Sequence, residues 1–118
     1  MTEETRLGRV EVTPAAIASI AGQAVLKSYG VVGFSTRTRR GGLVDTLYRD
    51  NFKRGVEISI VGDEISIDLY VIIEYGTRIS AVAHNIMRAV RFSVEKALGV
   101  PVSEVNVHVQ GVRVSSSD

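Results

Sequence analysis

The chain holds two histidines, His84 and His108, and no cysteine. Imidazole is the commonest acid–base and metal-binding side chain, so these two positions are where chemistry would start. His84, Arg88, Arg91 and Glu95 recur at helical spacing and form one polar stripe. A metal or acid–base site needs convergent partners, and His84 has no carboxylate three or four residues further on. The stripe therefore reads as a solvated helix face. His108 alternates with Asn106 and Gln110, which makes an uncharged hydrogen-bonding patch on a strand. Without cysteine there is no thiolate nucleophile, no disulfide framework and no Cys-type metal site.

Carboxylates gather on one hairpin. Glu57 is expected across from Asp68, with Glu64 and Glu74 on the same outer side. Exposed like charges perturb each other only mildly, because water screens them. A general acid needs a pocket that desolvates it, so the group reads as an acidic interaction face. Glu57 opposite Asp68 costs a few tenths of a kcal/mol, up to about 1 kcal/mol, which a nearby cation on a partner would relieve.

Cations cluster too. Arg37, Arg39, Arg40, Arg49, Lys53 and Arg54 form a basic segment diluted by Asp45 and Asp50. Such a cluster suits phosphates, an anionic membrane surface or an acidic protein face. A nucleic-acid reader also wants aromatics interleaved with cations on a sheet, and only Tyr70 is placed there, among carboxylates. Nucleic acid is therefore the less favoured partner. Gly30-Val31-Val32-Gly33 matches a G-x-x-G loop in form, yet the first glycine follows a helix and the central valines offer no cation. There is no Walker loop, no G-x-G-x-x-G and no nucleophile elbow. No catalytic residue, metal ligand or cofactor-binding residue is expected.

The elements that position these groups follow from periodicity. At 118 residues the chain suits one domain. Its net charge of +1 generates no field that would draw nucleic acid or lipid to the whole molecule. The longest apolar run, Leu69 to Ile73, is far short of the ~20 residues of a membrane span. Met1-Thr2-Glu3-Glu4-Thr5 has neither the basic nor the apolar region of a signal peptide, so a cytoplasmic protein is expected.

Val10 and Val12 flank Glu11 in a short strand, and Thr13-Pro14 opens a helix bearing Ile17, Ile20, Ala21, Ala24 and Val25, closed by Gly30. The face expected to point away from the core carries Ala15, Ala18, Ser19 and Gly22. Lys27 is the only charge between Thr13 and Thr36. Small uncharged residues permit close approach, so this face is a candidate subunit contact.

A strand over Val31 to Arg37, with Val32 and Phe34 on one face, and a short helix over Leu43 to Asn51 come next. Val56, Ile58 and Ile60 then alternate up to a Gly62-Asp63 turn, and Ile65, Ile67, Leu69, Val71 and Ile73 return. Ile79 through Leu98 form the second long helix, ended by Gly99 and Pro101, and Val105, Val107 and Val109 mark a last strand.

The order β-α-β-(short α)-β-β-α-β predicts an α+β two-layer sandwich, a mixed sheet with two long helices on one face. Residues 7–114 form the domain, and residues 1–6 and 115–118 are expected to be flexible termini.

Taken together, several segments resemble the alkaline shock protein family, also called the general-stress or envelope stress response family, of mostly Gram-positive-type bacteria. They are Val12-Thr13-Pro14, Tyr29-Gly30-Val31-Val32-Gly33, Asn51-Phe52-Lys53-Arg54-Gly55-Val56, Tyr75-Gly76-Thr77-Arg78-Ile79, Val82-Ala83-His84-Asn85 and the stretch from Val105 to Val112. The match runs from about Leu7 to Val114 and looks like a compact member, a bare domain without added charged tails. The resemblance implies no enzyme activity and no cofactor. It implies a cytoplasmic scaffold or regulator that self-associates in envelope homeostasis, reaching the membrane through a separate anchor protein. It also implies an alternative role beside a fatty-acid-kinase-type protein in lipid metabolism. From the residues themselves, the further alternative is nucleic-acid or anionic-lipid binding through the basic segment.

Overall fold

Thr13 and Pro14 start the first helix. The Thr13 hydroxyl accepts from the Ala16 amide at 3.2 Å, and Pro14 occupies a position where no N–H is required. In the computed structural model, which describes residues 2–35, 46–47 and 55–114, this helix, α1, runs Pro14–Leu26. The second, α2, runs Ile79–Leu98 and ends on Gly99, whose φ of 74° is the left-handed conformation a glycine adopts freely.

Seven strands accompany them among the described residues. β1 (Thr2–Thr5) and β2 (Gly8–Glu11) make a separate hairpin. β3 (Val31–Ser35), β4 (Thr46–Leu47), β5 (Val56–Val61), β6 (Glu64–Glu74) and β7 (Glu104–Arg113) make one sheet. β6 is its spine. β7 runs parallel along one edge of β6 from Ser66 to Glu74. The other edge is shared by two antiparallel strands, β5 against residues 64–69 and β3 against residues 71–73. Phe34 stands opposite Val71 and Val56 opposite Leu69, so β3 and β5 follow one another along that edge.

The core lies between this sheet and the helices. Ile65, Ile67, Leu69, Val71 and Ile73 are each at most 1% exposed and meet Ile17, Ala21 and Val25 of α1 and Val82, Ile86, Val90 and Val94 of α2. Each such aliphatic side chain contributes about 1.5–3 kcal/mol on burial, which makes this layer the main source of stability. The helices pack on each other, α1 also on β5 and α2 on β7. The result is the expected α+β sandwich. The β5–β6 register also agrees, with Ile60 opposite Ile65 and Ile58 opposite Ile67 around a turn where Gly62 has φ 62°.

Four local expectations change. Thr2–Thr5, read as part of a loose end, pair with β2. The Thr5 hydroxyl donates to Gly8 O at 3.1 Å and accepts from the Leu7 amide at 3.2 Å, which closes the turn. Within the predicted short helix, Thr46 and Leu47 form β4 opposite Ser35 and Phe34, because β3 offers them unpaired edge groups. The rest of Leu43–Asn51 lies outside the described residues, as do residues 115–118.

A bulge at Val32 breaks the expected alternation in β3, so Val31 and Phe34, not Val32 and Phe34, face the helices. Finally, α1 ends at Leu26, and Gly30 (φ 87°) sits in the link to β3, where its carbonyl accepts from the Glu74 amide at 2.8 Å.

Candidate functional site

Alternation along β6 and β7 sends Asp68, Tyr70, Asn106 and His108 to the face away from the helices. The parallel register sets Asp68 beside Asn106 and Tyr70 beside His108. Those neighbours converge. His108 Nε2 lies 2.9 Å from Asp68 Oδ1, and Asn106 Nδ2 donates to the same oxygen at 3.2 Å. A carboxylate only accepts, so Nε2 is the protonated nitrogen and the ring's orientation is set by Asp68. The imidazole stacks on Tyr70, with centroids 4.6 Å apart and planes 11° apart. Asn106 also reaches Glu104 Oε1 at 3.4 Å.

This is a hydrogen-bonding surface around a flat aromatic step. The Asp68 side chain is 26% exposed and that of His108 40%, so water weakens their attraction. One imidazole and one carboxylate do not make a metal site, and no group of three His, Asp or Glu side chains suited to a metal occurs among the described residues.

Ile72 is fully buried on the same face, with Gly33 beside it on β3 and Gly111 on β7. Both neighbouring strands are bulged at this level, at Val32 and at Gln110. A Cβ on Gly111 would come 3.2 Å from Ile72 Cδ1. Ser35 is fully buried, and its hydroxyl has no hydrogen-bond partner among the described residues.

The acidic residues take the expected places. Glu57 stands opposite Asp68, and Glu64 and Glu74 mark the two ends of β6. Asp68 accepts hydrogen bonds from His108 and Asn106 of its own chain. Sequence reasoning missed this because nothing local announces which β7 residue lies beside Asp68. Arg37, Arg39, Arg40, Arg49, Lys53 and Arg54 all lie outside the described residues.

The small-residue face of α1 needs correction. Ala18 and Gly22 are buried within the chain, and only Ala15 and Ser19 keep exposed surface. Their smallness lets α1 pack close to its own neighbours, α2 and β5.

The polar stripe of α2 is more structural than a merely solvated face. His84 Nδ1 donates to Ser80 O at 2.7 Å, and Arg88 donates to Asn85 Oδ1 at 2.9 Å. Arg91 donates to Val102 O, while Glu95 Oε2 accepts from the Val102 amide at 2.8 Å. Arg91 and Glu95 thus fasten the segment that leads into β7. Their i, i+4 spacing was the available signal.

A mixed sheet carrying two helices on one face and this polar surface on the other defines an α+β domain, and none of its described helices is long and apolar enough to cross a bilayer. The structure of MamM-CTD 215-293 shares the fold, with a TM-score of 0.50, 16% identity, and coverage of 82% of this chain and 96% of that one. At that identity the likeness concerns the fold alone.

The chain belongs to the alkaline shock protein 23 family, described by its cell envelope-related function, which it matches over residues 2–114. It is 41% identical over 113 residues to the uncharacterized protein YloU of Bacillus subtilis, spanning 95% of this chain and 94% of that one. It is 30% identical over 115 residues to the uncharacterized YqhY of the same organism, spanning 94% and 82% respectively. A Streptococcus pyogenes protein, Spy1614, also uncharacterized, is 32% identical over 111 residues, spanning 93% of this chain and 92% of that one.

Proposed function

We propose that this protein is a non-catalytic scaffold or regulator of the cell envelope that acts by self-association and by contacts with other proteins. The observation that carries the reading is the state of the converging polar groups. Asp68, Asn106 and His108 are held by one another and backed by Tyr70 on a broad sheet face, half wet. Partly exposed aromatic and hydrogen-bonding side chains suit a contact surface, whereas acid–base catalysis needs a group desolvated against a substrate. The cell envelope-related function of the family supports the setting.

In this reading the protein works in the cytoplasm and reaches the membrane through an anchor protein. A fatty-acid-kinase-type protein is the alternative partner. Static light scattering across protein and salt concentrations tests the self-association, with a mass that rises with concentration as the expected result. A monomer under every condition removes this function. Capture of a defined acyl-metabolism enzyme by the purified protein would favour the alternative partner, and its absence would end that alternative.

A further inference from the structure

We infer that two copies of this chain join edge to edge through β7, antiparallel, about a two-fold axis that passes at His108. The inference rests on the self-association reading above and names its surface. β7 is 10 residues long, and among the described residues it pairs only with β6, so no described strand covers its other edge. Soluble proteins guard such edges with proline, lysine, inward charge or a bulge, and of these β7 carries only the bulge at Gln110. β7 has neither proline nor lysine, and its two charged residues, Glu104 and Arg113, stand at its two ends. β5, which among the described residues also pairs only with β6, has 6 residues.

The strand's own pattern supplies the second argument. Glu104, Asn106 and His108 point away from the helices, while Val105, Val107 and Val109 point toward them. Without a bulge, Arg113 would have the opposite parity to Glu104. The extra residue at Gln110 shifts it, so Gly111 and Arg113 point away and Val112 points toward the helices.

An antiparallel pair centred on His108 then places Val107 opposite Val109 of the second copy, and Val105 opposite its Val112. Asn106 falls opposite Gly111, and Glu104 opposite Arg113. Every pair shares a face. The one pair of charges is of opposite sign and occurs twice by symmetry, as an isologous interface requires. Val112, 42% exposed in the single chain, gains apolar cover.

The chain has no cysteine, so His108→Cys creates a single thiol on the axis. Directly opposed residues in an antiparallel pair lie about 4.5–5.5 Å apart at Cα, within disulfide range. Mild oxidation should convert most of the variant to a covalent dimer on a non-reducing gel, while Lys27→Cys should remain a monomer.

By sedimentation of the full chain, Glu104→Arg should weaken the dimer about tenfold by setting like charges together, and adding Arg113→Glu should restore it. A dimer that ignores both charge variants and leaves the His108→Cys thiol unlinked overturns this interface while leaving self-association intact. A monomer at all concentrations overturns both.

Discussion

Gly55 lies against Phe34 so closely that a Cβ on the glycine would stand 2.7 Å from the Phe34 Cβ and 2.8 Å from its Cδ1. The contact joins the two strands that share one edge of β6, since Phe34 ends its pairing opposite Val71 and Val56 begins opposite Leu69. Phe34 is fully buried. Gly55→Ala should therefore lower stability by about 1–3 kcal/mol through overpacking, read by urea denaturation. A variant as stable as the parent would show that this junction yields.

Gly30 combines two constraints. Its φ is 87°, and a Cβ there would meet Val82 Cγ2 at 2.8 Å. Gly30→Ala should cost about 1–3 kcal/mol. In the Val82→Ala background the collision is gone and only the backbone strain is left. The cost of Gly30→Ala should then shrink without vanishing. An equal cost in both backgrounds would assign the whole effect to φ.

The Asp68–His108 bond should be measurable as a coupling. In a cycle of Asp68→Ala and His108→Ala, thermal unfolding should give about 0.5–1.5 kcal/mol of interaction, the net worth of one partly exposed hydrogen bond. Zero coupling would mean that the two side chains merely lie close together.

Glu95 accepts from the amide of Val102, a residue only 2% exposed. Glu95→Ala leaves that donor without its partner and should cost about 1–3 kcal/mol, while Glu95→Gln keeps an acceptor and should cost less. Hydrogen exchange at the Val102 amide reads the same event, with faster exchange expected in Glu95→Ala. Unchanged exchange would separate the bond from the protection.

Neighbouring residues were enough to define several elements. Thr13-Pro14 states a helix start, the four-residue rhythm of Val82, Ile86, Val90 and Val94 states a buried helix face, and Gly62-Asp63 between alternating apolar runs states the β5–β6 register. The family segments were legible for the same reason, as short strings in a fixed order.

Other features had no local signal. Asp68 and His108 are 40 positions apart, and their meeting depends on how α2 carries the chain across the sheet and where β7 then settles along β6. The alignment of β3 with β5, the bulges at Val32 and Gln110, and the burial of Ala18 and Gly22 are likewise decided by packing. Periodicity reports which side of an element is apolar. Which strand lies beside which, and in what register, is set by the close fit of the helices on the sheet, and that fit exists only once the chain has folded.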